Sequence, residues 1–448
     1  MVRLATRAFS RFPARDISRG TSLSWLLACL LIAHAPDTLI AQARPKDTCV
    51  TCHLQAGDER LVKPARDFPR DVHQARGFTC AACHGGDASD ATIDAMDPAK
   101  GFVGVPAHQQ IPALCGRCHS DAQFMRRYNP QLRIDQVAEY RTSVHGHRLF
   151  TSNDQRVAVC TSCHTAHSIL PASDAQSTVY ALRVADTCAR CHADAQYMAG
   201  CDIPTDQYRK YTASIHWTTL SKVGDLSAPT CNDCHGNHGA VPPGVTSVAN
   251  VCGQCHAMQA ENLERSPHEP VFEAMGVAGC PACHENHEIH PASDQMIGAA
   301  APAVCATCHD PSDEGGKTAA AMRALIDRLR TAHQRALEIL QQAERAGMEV
   351  SQPEFDLNGA TNDLITARLA IHTFDPGAVR GPVENGLAVA RKAYERGVHA
   401  LQELRFRRNG LAVSLVIILL VIVGLVVKIR QIERRPGGGP RWRSIEDR

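Results

Sequence analysis

Cysteine and histidine recur together in this chain at one fixed spacing. Between Cys49 and His309 the pattern Cys-x-x-Cys-His occurs nine times. Two thiols three positions apart on a helical turn can each form a thioether to the same porphyrin, and the adjacent histidine then lies under the iron. The spacing therefore predicts nine sites of covalent c-type haem attachment.

The residues of these nine motifs form two sets. The cysteines predicted to bind the cofactor are Cys49, Cys52, Cys80, Cys83, Cys115, Cys118, Cys160, Cys163, Cys188, Cys191, Cys231, Cys234, Cys252, Cys255, Cys280, Cys283, Cys305 and Cys308. The histidines predicted to bind its iron are His53, His84, His119, His164, His192, His235, His256, His284 and His309. A disulfide framework or zinc sites are the competing interpretations. Neither explains why histidine follows every cysteine pair.

Further histidines lie outside the motifs and could fill the sixth position of each iron. Such bis-histidine ligation is typical of electron carriers, because it closes the iron to substrate. The predicted second ligands are His73, His108, His145, His167, His216, His238, His268 and His287. His147 and His290 are weaker candidates, and His290 is interpreted as a surface residue. His108 is included because the first pair of motifs lacks a histidine three positions after His84.

The predicted ligands recur in register. After the single motif at Cys49, the others form four pairs, which begin at Cys80, Cys160, Cys231 and Cys280. The last three pairs share a Ser-x-His sequence upstream and a first motif extended to CxxCHxxH. A histidine only three positions from the motif histidine is too close to reach the far side of its own iron. His167, His238 and His287 are therefore expected to ligate a neighbouring haem.

This pattern resembles the doubled-CxxCH, tetrahaem-type cytochromes c, the group that includes cytochrome c-554, small tetrahaem quinol dehydrogenases and the multihaem nitrite and hydroxylamine enzymes. The resemblance covers roughly residues 45 to 315. It implies closely stacked haems, mostly bis-histidine ligated, that pass electrons along a chain. A CxxCK motif and a recognisable cross-linking tyrosine, found in the enzymes of the group, are absent from the sequence. An electron carrier is therefore favoured over an enzyme.

Composition limits how the motif region can fold. It has 261 residues for nine motifs, and aromatic residues make up 5% of the chain. So little protein around each cofactor cannot form an ordinary hydrophobic core, so stacked haems are expected to be the interior. The predicted fold is mainly α with extensive loops wrapped around the haems. The charge balance of 47 basic and 46 acidic residues argues against nucleic acid as a partner.

The two ends of the chain suggest export and membrane attachment. Residues 1–43 have a basic start, a short apolar run and Ala41-Gln42-Ala43, which predict a cleaved signal peptide. Residues 44–315 form the predicted nine-haem domain. A four-three repeat from Met322 to Ala343 predicts a helical hairpin or bundle over 316–408, with further helices from Glu354 to Phe374 and from Val383 towards Arg405. His333, His372 and His399 lie in these helices and are interpreted mainly as structural, with His333 or His372 as a possible cap for a haem.

Residues 409–429 are predicted to cross the membrane, because 18 uncharged residues from Gly410 to Val427 suffice to span the hydrocarbon layer. Residues 430–448 are then a cytoplasmic tail, and the haem domain faces the periplasm of a bacterial cell. The expected function is electron relay between a membrane donor, such as a quinol-oxidising or cytochrome b-like subunit, and periplasmic redox proteins. The alternative is a reductase or oxidase of a small nitrogen or sulfur compound at one five-coordinate haem.

Overall fold

The computed structural model describes residues 47–242 and 248–434, and within these ranges the chain is mainly helical and has no strand. The predicted signal peptide, residues 1–43, lies outside the described residues, as does most of the predicted tail. The predominance of helix agrees with the expected fold class. The chain has two kinds of structure, short helices joined by loops up to residue 313 and three long helices after it.

Within residues 47–242 and 248–313 the structure has seventeen short α-helices. They are α1 (Thr48–His53), α2 (Glu59–Asp67), α3 (Val72–Ala75), α4 (Ala81–His84), α5 (Ile111–His119), α6 (Ala122–Tyr128), α7 (Gln136–Thr142), α8 (Val144–Ser152), α9 (Cys160–His164), α10 (Ala181–His192), α11 (Gln207–Ala213), α12 (Ile215–Thr218), α13 (Cys231–His235), α14 (Val248–Gly253), α15 (Ala257–Glu264), α16 (His268–Met275) and α17 (Gly279–His284). Seven of them end on a motif histidine. Each of those seven motifs therefore lies on a helical turn, as thioether attachment requires.

The second part consists of α18 (Glu314–Arg345), α19 (Ser351–Ala370) and α20 (Pro376–Glu433). The largest apolar core of the described chain lies between these helices, where Ile326, Leu329, Leu340 and Val383 are completely buried. In the motif region the buried apolar residues form a much smaller cluster around Tyr140, Leu149, Val157 and Val159. The scarcity of core in the motif region agrees with its composition.

All three long helices begin before their predicted starts, and α19 runs from Ser351 to Ala370 rather than from Glu354 to Phe374. Helix α18 begins at Glu314, eight residues before the repeat at Met322, because Asp313 caps it by accepting a hydrogen bond from the Gly316 amide at 2.7 Å. Helix α20 begins at Pro376, where Asp375 accepts from the Gly377 amide. The predicted start at Val383 was wrong because Pro382 lies inside the helix.

The predicted third bundle helix and the apolar C-terminal segment are one continuous helix. Helix α20 has 58 residues, which is about 87 Å at 1.5 Å per residue. Its most apolar stretch of 18 residues has a mean hydropathy of 3.2, and none of those residues is buried against the rest of the described chain. This helix is long and apolar enough to cross a membrane.

Candidate functional site

Eight of the nine motif histidines face a second histidine ring. The centres of the paired rings are 5.9 to 6.4 Å apart. Metal–imidazole bonds of about 2.0–2.1 Å, with each ring centre roughly 1.1 Å behind its bonded nitrogen, place two rings on opposite sides of one metal about 6.3 Å apart. The observed spacing therefore fits two axial ligands of one iron.

Four of these pairs contain the histidine of the first motif of a unit; in three of them the second histidine comes from the next unit, and in the fourth it is His372, in the turn after α19. The ring planes in this group are nearly parallel, with angles from 11° to 23°. The pairs are His84–His167, His164–His238, His235–His287 and His284–His372. Each CxxCHxxH histidine thus meets a neighbouring motif rather than its own.

The other four pairs join the second motif of a unit to the histidine that precedes the unit. Three of them have strongly crossed planes, at 59° to 88°, and the fourth has 27°. The pairs are His73–His119, His145–His192, His216–His256 and His268–His309. Seven of the eight predicted second ligands therefore lie in ring pairs.

The Ser-x-His sequences have a local structural reason. Ser143 and Ser214 are completely buried and begin α8 and α12, where each hydroxyl accepts a backbone N–H bond. Such a cap fixes the helix start and thereby the histidine two positions later. Asp71 takes this role before His73, since its carboxylate accepts from both the amide of His73, at 2.9 Å, and its ring Nδ1, at 2.8 Å.

A recurring backbone hydrogen bond joins consecutive units. In each case the donor is the backbone N–H of the residue that follows the capping Asp or Ser. The acceptor is the backbone carbonyl two positions after the CxxCHxxH histidine of the next unit. The three bonds are Val72 to Ile169, Val144 to Ala240 and Ile215 to Ile289, at 2.8 to 3.1 Å. Tyrosines add a link within a unit, because Tyr140 and Tyr211 each donate to the carbonyl two positions before the first motif of their own unit. Each backbone bond therefore places the capped histidine of one unit near the CxxCHxxH histidine of the next unit, and these two histidines face the two different motifs of the first of those units.

The long helices complete the last unit. The fourth capping position is followed by Pro267, which has no N–H to donate. The residue two positions after His372 is Phe374, and its ring lies 3.9 Å from that of His268, centre to centre. His372 itself holds its Nδ1 at 3.1 Å from the Leu369 carbonyl, which leaves Nε2 for a metal. Sequence reasoning treated His372 as mainly structural because no motif marks it.

Two histidines outside the motifs use their nitrogens for other contacts. The Nε2 of His108 lies 2.8 Å from the Val157 carbonyl, and none of the described ring pairs includes His108. Its prediction as a ligand is therefore not supported, because the first pair is completed without it. His333 places its Nε2 at 3.0 Å from the Thr361 hydroxyl, a contact between α18 and α19.

His53 is the motif histidine for which the described residues provide no ring partner. Its motif behaves as the second member of a unit, since Cys49 lies beside Cys80, as Cys115 lies beside Cys160 and Cys188 beside Cys231. A second member receives its partner from a capped histidine 36 to 43 residues upstream. For Cys49 that position falls within residues 6–13, which contain no histidine.

The motifs follow one another in space in chain order. Asp47 joins the first two by accepting from the amides of Cys49 and Cys80. Arg117 joins the second and third by donating to the Cys83 carbonyl at 3.1 Å. One continuous cavity of about 3800 Å³ is lined by residues of all nine motifs, whereas a pocket for one small ligand has about 300–1,000 Å³.

The donor set can be tested against the competing groups. In the described ranges no cysteine forms a disulfide. The one set of three ligand atoms found there within 4.8 Å of one another, from Asp47, Cys49 and Cys80, combines two motifs. Zinc sites built motif by motif are therefore not formed. The paired rings, motif helices and large cavity fit haem instead.

Burial favours the neutral form of several histidines in the ring pairs. Burial lowers the pKa of His145, His164, His284 and His372 below the ordinary histidine value. The neutral imidazole is the form that ligates metals.

Comparison with family models, with curated proteins and with solved structures finds no match for this chain.

Proposed function

We propose that the chain is a membrane-anchored electron carrier with nine covalently bound c-type haems. The observation that carries this proposal is the set of eight histidine pairs, each at the spacing of two axial ligands. When bound, haem iron supplies reversible one-electron chemistry. The paired histidines would supply both protein ligands of each such iron and would close it to substrate, which suits electron transfer.

The order of the motifs supports a linear relay. Consecutive motifs adjoin one another, so an electron can pass stepwise between the first motif, at Cys49, and the ninth, at Cys305. The relay connects a membrane-linked donor, such as a quinol-oxidising subunit, with redox proteins outside the cytoplasm. The C-terminal part of α20 anchors the chain with the motif region on the periplasmic side, where c-type haem is attached.

A ligand swap in the middle of the array tests the relay. The change His287→Met replaces one of the two rings that pair at His235, and a methionine ligand raises the reduction potential of haem. We expect one haem to titrate at a higher potential and electron transfer between the ends to slow, because that haem then retains its electron. Potentiometric titration and stopped-flow reoxidation measure the two effects.

The matched control is His290→Met. His290 lies three positions from His287, is exposed, and is in no described ring pair. The proposal predicts no change in potential for this variant. It is contradicted if the two variants behave alike.

The lack of a ring partner for His53 within residues 47–242 and 248–434 favours a second function, small-molecule chemistry at the first haem. A haem with one protein ligand leaves a position open to a substrate. This candidate predicts that the reduced protein binds carbon monoxide at one haem in nine. The double variant Cys49→Ala/Cys52→Ala removes the first attachment site and should abolish this binding, while eight haems remain by intact mass. Carbon monoxide binding that persists in the variant would place the open position elsewhere.

A further inference from the structure

Helix α20 separates the histidine pairs from the membrane-crossing segment by a long stretch of bundle. The helix begins at Pro376, four residues after His372, and its uncharged stretch begins at Gly410. These 34 residues correspond to about 50 Å of helix axis. Arg405, Arg407 and Arg408 immediately precede Gly410 and suit a position at the membrane surface.

The motif region docks on the end of the bundle that is remote from the membrane segment. The Asn262 side chain donates to the Leu369 carbonyl at 3.0 Å. Arg368 forms two hydrogen bonds of 2.9 Å with Asp294, and Phe374 packs on His268. These contacts lie at the last residues of α19 or in the turn that leads to α20.

A second docking contact lies at the start of α18. A Cβ atom at Gly315 would lie 2.1 Å from Nδ1 of His309, so the ninth motif is packed directly against this helix. Arg323 donates to the Asp294 carbonyl at 2.6 Å. The eighth and ninth motifs are therefore both fixed to the same end of the bundle.

Close packing makes the three-helix bundle rigid; we call its part formed by α18, α19 and residues 376–400 of α20 the strut. A Cβ at Gly386 would lie 2.8 Å from the Leu329 methyl groups, and one at Gly397 would lie 2.8 Å from a methyl group of Ile339. Helices α18 and α20 therefore run side by side in the same direction at short separation. Their contact extends to Ala400, which is buried, so only about ten residues separate the bundle from Gly410.

We propose that the strut holds the eighth and ninth haems about 50 Å from the bilayer, and that their redox partner is a protein with a cofactor-bearing domain outside the membrane. This inference rests on the proposed function. Electron transfer falls off exponentially with distance, so a quinol within the lipid cannot react across this gap. In the reaction one electron leaves the partner's centre and reduces one ferric haem, and no bond or proton changes place.

Proteoliposomes that contain the full-length holoprotein alone test the proposal. A quinol with a long isoprenoid tail, confined to the bilayer, is compared with a tailless quinol that has the same head group and dissolves in water. Each quinol that reacts passes two electrons to two haems and releases two protons. The reverse reaction, from reduced haems to the two quinones, is measured as well, so that one direction is favourable whatever the haem potentials.

We expect the tailless compound to react in the favourable direction, whereas the bilayer-confined compound causes no change in haem absorbance on the same time scale. Equal rates for the two compounds would overturn the proposal. Haem content and spin state are measured on the same sample. A protein without haem would refute the proposed function, and a haem protein that reacts directly with bilayer quinol would refute only this inference.

Discussion

Replacement of His372 by alanine distinguishes a metal ligand from a structural histidine. In the structure the His372 ring faces that of His284, with centres 6.3 Å apart and planes at 23°. If the two rings bind one iron, His372→Ala leaves that iron with one protein ligand. The eighth haem should then become high-spin and bind carbon monoxide.

The magnitude follows from the number of pairs. Eight of nine motif histidines have a ring partner among the described residues, so the unaltered protein should bind one carbon monoxide per chain. The variant should bind two, and its high-spin share should rise from one haem in nine to two in nine. Added imidazole should restore the low-spin state of the eighth haem.

His333→Ala is the matched control in the same bundle. It removes the contact with Thr361, at a cost of about 0.5–1.5 kcal/mol of unfolding free energy, and should leave spin state and carbon monoxide binding unchanged. Visible absorption spectra with a carbon monoxide titration give both readouts. A His372→Ala protein that keeps one carbon monoxide per chain would refute the ligand assignment.

Three further predictions concern the residues that position the pairs and the bundle. Tyr140→Phe removes a hydrogen bond of 2.8 Å to the Ala158 carbonyl. Chemical denaturation of the holoprotein should show a loss of about 1–3 kcal/mol of unfolding free energy. The exposed Tyr394→Phe is the control and should leave the unfolding free energy unchanged. Gly386→Val adds side-chain atoms where a Cβ alone would lie 2.8 Å from Leu329, and should lower the free energy of unfolding by about 1–3 kcal/mol. Gly381 has open space around it, so Gly381→Ala should raise the midpoint of thermal unfolding. Asp71→Asn removes the negative charge beside Nδ1 of His73. A carboxylate partner makes a histidine ligand more basic, so the variant should raise the reduction potential of one haem. An unchanged potentiometric titration curve would contradict that reasoning.

The repeats in the sequence identify most of the histidines that form ring pairs, but not which motif each of them faces. Three Ser-x-His and three CxxCHxxH histidines share local patterns, and the structure places all six in ring pairs. The pattern worked because each histidine is fixed by its own short segment, a capped helix start or a tight turn after the motif. Thr165 and Glu285 have positive φ in that turn, which directs the following histidine away from its own motif.

His372 could not be identified in the same way. It lies 88 residues after His284, in a short turn between long helices, and no cysteine or capping residue marks it. Its position depends on how the end of α19 and the turn after it dock against α15 and α16, which is a tertiary property. A count of pairing positions could have pointed to a ligand after His309, because the last unit has no following unit to complete it.

His108 is the opposite case, a predicted ligand that lies in none of the described ring pairs. It was assigned as a ligand because the first pair lacks a histidine three residues after His84. In the structure, a histidine at that position pairs with a motif of the preceding unit, and the ring that faces His84 is that of His167. The sequence alone did not reveal this direction, because spacing within a unit says nothing about which neighbouring unit receives the ligand.

Quantitative low-temperature EPR of the oxidised full-length protein tests the central claim most directly. The angle between axial imidazole planes controls the splitting of the iron d orbitals. We expect eight low-spin haems, with near-parallel pairs giving rhombic signals and strongly crossed pairs giving more anisotropic ones, together with one high-spin haem. A protein without haem, or one with several high-spin haems, would contradict the account.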